Sequence, residues 1–277
     1  MPAAEGRGVR SIEVGAHLLD VLAASTEPLM LRDLSRRAGV APAQAHAYLT
    51  SLRKLGLVEQ ESRTTRYRLG PATLDLGIVR TRNVDPIRLA QEAAIALSAE
   101  TGLSVALVVW GSFGPTVIQV EEGPDQIHIN TKAGTVYSIT GTASGRVFAA
   151  FHSPAIVERA LAEEQGENGS TGRVGSVAVL SAADVAAIRG AGYATVSPPP
   201  VPGVNALAAP IFDHSGQILI AITLIGAEGV LDNGPDSPFL PVLLRHARDV
   251  SRKLGADDAF GDRDAAGRPD PAAEPAS

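Results

Sequence analysis

Small and hydroxyl-bearing residues precede and begin the apolar stretch ASGRVFAAF, which predicts a helix. They are Thr140, Gly141, Thr142, Ala143, Ser144 and Gly145. The first turn of a helix offers unpaired backbone N–H groups and a partial positive charge, so these residues predict a site for an anionic group. Their small side chains let a ligand come close to the backbone. The alternative is an ordinary helix cap, in which the hydroxyls bond the N–H groups of the helix itself.

The sequence offers no set of residues for catalysis or for metal binding. It contains no cysteine, which excludes disulfides, thiol catalysis and cysteine-bound zinc. No G-x-S-x-G sequence is present, and GSTG at 169–172 lacks the lysine of a phosphate-binding loop. The histidines lack metal-ligand spacing; they are His17, His46, His128, His152, His214 and His246. We therefore expect no enzyme, no metal and no cofactor.

A second group of residues suits the binding of phosphates. From Leu31 to Gly70 the chain carries eight basic and three acidic residues, whereas the formal net charge of the whole chain is −6. Clustered cations bind nucleic acid because they neutralise phosphates and release counterions. Lys54, Arg63 and Arg66 are the expected phosphate contacts, together with Arg68 on the same charged hairpin.

The same stretch predicts two short helices, a tight turn and a two-stranded hairpin. Gly39 ends the first helix and Pro42 starts the second, where a missing N–H leaves no bond unmade. In a helix-turn-helix, the outward face of the second helix lies in the major groove. That face carries Ala43, Gln44, Ala47, Thr50 and Lys54. The alternative is a protein-binding module whose charged side chains are merely solvated.

The remaining sequence predicts two domains with a linker. We expect residues 1–10 to be disordered, Ser11 to cap a helix that completes a winged helix-turn-helix domain at 11–70, and two linker helices at 71–101. Pro86 predicts a break near Val84 and Asp85. The linker helices either dimerise or pack on the second domain of their own chain.

Strand patterns begin at Leu103, with helices between and after them, and predict an α+β domain with an antiparallel sheet at 102–255. The acidic, Pro- and Ala-rich residues 256–277 are expected to be disordered. No apolar run reaches the ~18 residues of a membrane span, and the N-terminus lacks a signal-peptide pattern. We therefore expect a cytoplasmic protein.

From about Ser11 to Gly255 the chain resembles the IclR family of bacterial transcriptional regulators. The matching motifs are YRLGPATLDLG (67–77), AGTVYSITGTASGRVFAAF (133–151), GAGYATV (190–196) and ALAAPIFD (206–213). The resemblance implies an N-terminal winged helix-turn-helix domain joined by a linker helix to a GAF-like α+β effector-binding domain. It also implies a homodimer or dimer of dimers on double-stranded operator DNA, with a small organic acid as effector.

Two functional hypotheses follow. In the first, a regulator contacts bases or sugars with Ala43, Gln44 and Thr50, and an effector carboxylate binds the N–H groups of Ala143, Ser144 and Gly145, with Thr142 and Asn205 hydrogen-bonding nearby. In the second, a ligand-binding or protein-interaction module reads DNA sequence only weakly, because Ala43 and Ala47 offer few hydrogen bonds to bases. Many family members carry arginine at the position of Ala47 and glutamate at that of Pro199.

Overall fold

The structure, a computed structural model, describes residues 8–124, 131–166 and 173–256. The chain divides between Val84 and Asp85 into two compact units, which we describe separately. Residues 1–7 and 257–277 lie outside the described residues, as do GSTG at 169–172 and QIHIN at 126–130, whose alternating apolar residues predict a strand. What the sequence predicts for these segments stays a prediction.

Helices and a short hairpin make up the described part of the first unit. Its elements are α1 (Arg10–Ala23), α2 (Leu31–Arg37), α3 (Pro42–Lys54), β1 (Val58–Gln60), β2 (Tyr67–Leu69) and α4 (Pro71–Asn83). Leu18, Leu34 and Leu49, one from each of the first three helices, are fully buried and pack with Val58 and Tyr67 of the hairpin. This core confirms the predicted helix-turn-helix with wing strands.

Two glycines make the turns that separate α2, α3 and the hairpin. Gly39 has a φ of 60° and Gly56 a φ of 71°, which is the left-handed region where a side chain is unfavourable. The predicted cap at Ser11 is wrong, because α1 begins at Arg10 and Ser11 lies within it; the N-cap residue is Val9, which makes no side-chain cap.

The predicted break in the linker is confirmed, but its two helices differ. Asp85 caps α5 (Pro86–Thr101) by accepting hydrogen bonds from the backbone N–H groups of Ile87 and Arg88. Ala90 and Leu97 of α5 are fully buried in the second unit. α4, in contrast, has no buried residue. Of the two alternatives for the linker, packing on the second domain of the same chain therefore holds for α5.

The described part of the second unit combines helices with one sheet. Its remaining helices are α6 (Ala143–Phe151), α7 (Pro154–Gln165), α8 (Ala182–Ala191) and α9 (Leu240–Lys253). Its strands are β3 (Ser104–Gly111), β4 (Gly114–Glu121), β5 (Val136–Tyr137), β6 (Arg173–Val174), β7 (Val204–Phe212) and β8 (Ile218–Ala227). The predicted α+β class is confirmed.

The sheet has six strands in the order β6-β5-β4-β3-β8-β7. All neighbouring pairs are antiparallel except β5 and β6, where Val136 pairs with Arg173 in parallel. The sheet is therefore antiparallel, as predicted, except at the edge pair of β5 and β6, which makes it a mixed sheet. The reason is the long connection through α6 and α7, which lets the chain return in the same direction.

Side chains alternate between two layers of helices. On β3, Val105 and Leu107 join the core with α5 and α9, whereas Ala106 and Val108 join the core with α6 and α8. Successive residues of a strand point to opposite faces, so the long strands β3, β4, β7 and β8 contribute to both cores.

Candidate functional site

The outer face of α3 is fully open to solvent. Ala43, Gln44, Ala47, Thr50 and Lys54 are all exposed, while Ala45 and Leu49 between them are buried. The Thr50 hydroxyl donates a hydrogen bond of 2.8 Å to the carbonyl oxygen of His46, so its proton is used and its oxygen can still accept a hydrogen bond. The structure therefore brings all five predicted residues of α3 together on one face.

The hairpin of β1 and β2 presents its arginines in three different ways. Arg63 is exposed in the turn and makes no ion pair within the described residues. Arg66 is exposed, but its Nη1 donates to the carbonyl oxygen of Pro28 at 3.3 Å, which directs it toward the loop before α2. Arg68 pairs with Glu59 and lies 3.8 Å from Glu61. This ion pair competes with the phosphate contact expected of Arg68, which stays a prediction.

Most cations of this unit keep their charge unneutralised. Of the eight basic residues between Leu31 and Gly70, only Arg36 and Arg68 form ion pairs among the residues described. Arg53 instead donates to the side-chain oxygen of Gln60 at 3.0 Å, which ties α3 to the hairpin. The other cations leave a positive surface on a chain whose net charge is −6.

The N-terminus of α6 is a capped helix end buried within the second unit. The Thr142 hydroxyl accepts a hydrogen bond from the Gly145 N–H at 3.0 Å and donates to the carbonyl oxygen of Ser138 at 2.8 Å. A Cβ at Gly145 would lie 2.1 Å from that same oxygen, so glycine is required for the close approach. The cap, one of the two alternatives for this motif, is therefore present, and it occupies the N–H of Gly145.

A hydroxyl pair links α6 to the sheet. Ser144 Oγ lies 2.8 Å from Thr223 Oγ1 of β8, and both side chains are buried. Thr223 pairs with Ala106 of β3 and with Ala208 of β7, so two small side chains flank it. Sequence reasoning missed Thr223. The available signal was its hydroxyl, which is the only polar group in the apolar run Ile218–Ile225.

Other long-range contacts hold the loop that precedes α6. The carboxylate of Glu164, on α7, is buried and accepts the Ile139 N–H at 3.1 Å. The Arg146 guanidinium donates to the carbonyl oxygens of Thr140 and Thr195, and its burial lowers the pKa of that group. Nothing in the local sequence indicated these contacts.

Asn205 does not join Thr142, Ala143, Ser144 and Gly145. Asn205 lies two residues before Leu207 on β7 and therefore on the same face of the sheet, the face that packs on α5 and α9 and is opposite α6. Its Nδ2 donates to the carbonyl oxygen of Leu231 at 2.9 Å, and its Oδ1 accepts from Asn233. The grouping of Asn205 with the α6 residues is therefore corrected.

The described residues form neither a metal-binding cluster nor a membrane-spanning helix. None of these residues forms a cluster of three or more His, Cys, Asp or Glu side chains suited to a metal ion. Among the helices described, none is both long and apolar enough to cross a membrane.

Comparison with protein families accounts for both units. Residues 11–62 match the IclR helix-turn-helix domain, and residues 80–252 match the C-terminal domain of bacterial IclR transcriptional regulators. The chain belongs to the IclR family. It is thus a DNA-binding transcriptional regulator with an effector domain, from a family that is not enzymatic.

Individual IclR-family relatives match along nearly the whole chain. The glycerol operon regulatory protein of Streptomyces coelicolor is 31% identical over 90% of this chain and 98% of its own. The regulator BhcR of Paracoccus denitrificans is 24% identical over 94% of this chain and 93% of its own. The crystal structure of Pseudomonas aeruginosa HmgR covers 90% of this chain and 100% of its own, with 29% identity and a TM-score of 0.78.

Proposed function

We propose that this IclR-family regulator reads an operator with the outer face of α3 and holds the DNA backbone with cations of the first unit. Gln44 and Thr50 supply the polar atoms for base or sugar contacts, with Ala43 and Ala47 in apolar contact. Lys54, Arg63 and Arg66 neutralise phosphates. The observation that carries the proposal is the continuous exposed face of α3 beside cations that lack ion pairs within the described part of the chain.

We also propose that the chain forms a homodimer, or a dimer of such dimers, and the exposure of α4 supports this. Leu74 and Leu76 are each 65% exposed and Val79 is 54% exposed, on a helix of 13 residues. An isolated helix of this length is marginal in water and gains its stability from packing. A second copy of the chain supplies that packing and places two α3 helices on two half-sites.

We further propose that residues 11–70 form the DNA-binding domain, 71–101 the linker helices and 102–255 the effector domain. α5 then has two roles, because it belongs to the linker in sequence and to the core of the second unit in structure.

For the effector we propose a small organic acid at the N-terminus of α6. The hydroxyls of Ser144 and Thr223 would exchange their mutual hydrogen bond for bonds to the carboxylate. The N–H groups of Ala143 and Ser144 would stabilise its charge. The support is a buried hydroxyl pair flanked by Ala106 and Ala208, which leaves polar atoms among small side chains.

A thermal-shift screen with short aliphatic and aromatic carboxylates tests the effector site, with glycerol as an uncharged comparison. A ligand at 100 times its Kd stabilises the folded state by ~2.7 kcal/mol. The stabilisation should disappear in Ser144→Ala and persist in the control Ser181→Ala, which removes a hydroxyl from the N-cap of α8. The site would be excluded if a carboxylate stabilised both variants equally. It would also be excluded if no carboxylate stabilised the protein.

A second candidate function is a ligand-binding or protein-interaction module with weakened sequence reading. The small outward side chains of Ala43 and Ala47 favour it, because they carry no hydrogen-bonding group. Gel shifts with the upstream region of the gene decide between the two. The regulator retards its own fragment against excess random DNA, whereas the module shows only weak retardation that salt abolishes.

A further inference from the structure

The outer side of α9 carries a groove that the DNA-binding and effector proposals leave without a role. It has a volume of about 400 Å³ and combines apolar side chains with three basic and one acidic side chain: it is lined by Leu240, Pro241, Leu244, Arg245, Arg248, Asp249 and Arg252. These positions recur at helical spacing along the 14 residues of α9. The apolar side chains lie toward the start of the helix and the arginines toward its end.

The groove has a surplus of positive charge. Arg245 bonds the carboxylate of Glu100 on α5 at 2.6 Å, and Arg252 bonds Asp249 at 3.1 Å. Arg248 is exposed and forms no ion pair within the described part of the chain. Four basic residues and one acidic residue lie between Leu240 and Lys253, in a chain with a net charge of −6. An acidic segment is therefore the complementary occupant.

The sequence that directly follows α9 has the complementary composition. The segment DDAFGDRD, residues 257–264, contains four aspartates and a single arginine. Phe260 is the only large apolar residue between Asp257 and Ser277. An aromatic side chain among carboxylates matches a groove in which Leu240 and Leu244 lie beside arginines.

Residue spacing brings the matching groups opposite one another. An extended chain advances roughly 3.3 Å per residue, so Phe260 is within roughly 16 Å of Gly255. A helix rises roughly 1.5 Å per residue, so Leu244 also lies roughly 16 Å from Gly255 along α9. A chain that returns antiparallel to α9 would place Phe260 at Leu244, and Asp257 and Asp258 between Arg252 and Arg248.

We infer that the groove on α9 is an intramolecular docking site for residues 257–264. The tether makes this association effective even when each charge contact is weak, because a short linker gives a local concentration of order millimolar. Salt weakens the association, since the groove is exposed and its charges are screened within ~8–10 Å at physiological ionic strength.

Disulfide trapping in the full-length chain tests this inference, because the chain has no cysteine of its own. Pro241→Cys with Gly261→Cys places thiols beside the groove and beside Phe260 while keeping all the proposed contacts. The control combines Gly261→Cys with Val179→Cys, a position that is 91% exposed and outside the groove. We expect the groove pair to form an intramolecular disulfide at least tenfold faster than the control pair. Arg248→Glu should slow the groove pair severalfold.

Three results would overturn the inference. Equal rates for the two pairs would mean that the segment has no preference for the groove. Disulfide-linked dimers from the groove pair would assign the groove to a second copy of the chain. A fast reaction that Arg248→Glu and added salt leave unchanged would show proximity through the tether alone, without charge recognition.

Discussion

Ser144→Ala and Thr223→Val each remove one partner of a buried hydroxyl pair whose oxygens lie 2.8 Å apart. The partner that remains is left in an environment of alanine and apolar side chains. A buried polar group without its hydrogen bond costs ~1–3 kcal/mol, whereas removal of both partners leaves no polar group to satisfy. We therefore expect each single variant to lose ~1–3 kcal/mol of stability.

The double variant carries the decisive prediction. It should be more stable than the sum of the two single effects predicts, by an interaction energy of ~0.5–3 kcal/mol. Thr223→Val nearly conserves volume, so little of its effect should come from a cavity. For a domain of 150–250 residues, each kcal/mol corresponds to ~2–4 °C in Tm.

Urea unfolding followed by tryptophan fluorescence measures these unfolding free energies for the second unit of the chain. Trp110 is the only tryptophan in the chain, and its ring centroid lies 5.6 Å from that of Phe148 on α6. Its signal therefore reports unfolding of the second unit. Strictly additive effects of the two substitutions would refute the account, because they would mean that the hydroxyls do not depend on each other.

Three further predictions concern other parts of the molecule. Gly145→Ala should destabilise the second unit in chemical denaturation, because the new Cβ would lie 2.1 Å from the Ser138 carbonyl oxygen. In the control Gly190→Ala in α8, the new Cβ has no neighbouring atom within 4 Å, so this substitution should stabilise the unit by ~0.5–1 kcal/mol. Leu74→Asp should shift the mass in sedimentation equilibrium toward the monomer, whereas Val179→Asp should not, and an unchanged mass in both would remove α4 from the interface. Burial lowers the pKa of His152 below its usual 6.5, so the folded state binds that proton less readily than the unfolded state. The contribution of neutral His152 to stability is therefore present above pH 6.5 and is lost as the pH falls. When the pH is lowered from about 7.5 to about 5.5, the Tm of the His152→Gln variant should fall less than the Tm of the unsubstituted protein.

The first unit was predictable because its signals are local. Gly39 and Pro42 set the turn between α2 and α3, and the spacing of Ala45 and Leu49 set the buried face of α3. What the sequence did not reveal is the pairing of its cations. Arg68 meets Glu59 only because the two strands place them directly opposite each other.

In the second unit, the helices and long strands followed from periodicity, but the site depended on contacts between distant residues. Ser144 and Thr223 are 79 positions apart, and Ile139 and Glu164 are 25 apart. The strand register decides which face of the sheet carries the Asn205 side chain. A strand that is apolar on both faces gives no sequence pattern from which to assign that face. The parallel pairing of β5 and β6 was equally hidden, because each strand has only two residues.

The salt dependence of DNA affinity tests the central claim most directly. Each lost phosphate contact reduces the slope of log affinity against log salt by ~0.9, so the combined Arg63→Ala and Arg66→Ala variant should lose nearly two units of slope. Its affinity should fall similarly on the operator and on random DNA. The control Arg68→Ala, whose cation already pairs with Glu59, should change the slope little. A double variant with the parent slope, or an Arg68→Ala variant with an equal loss, would contradict the proposed DNA interface.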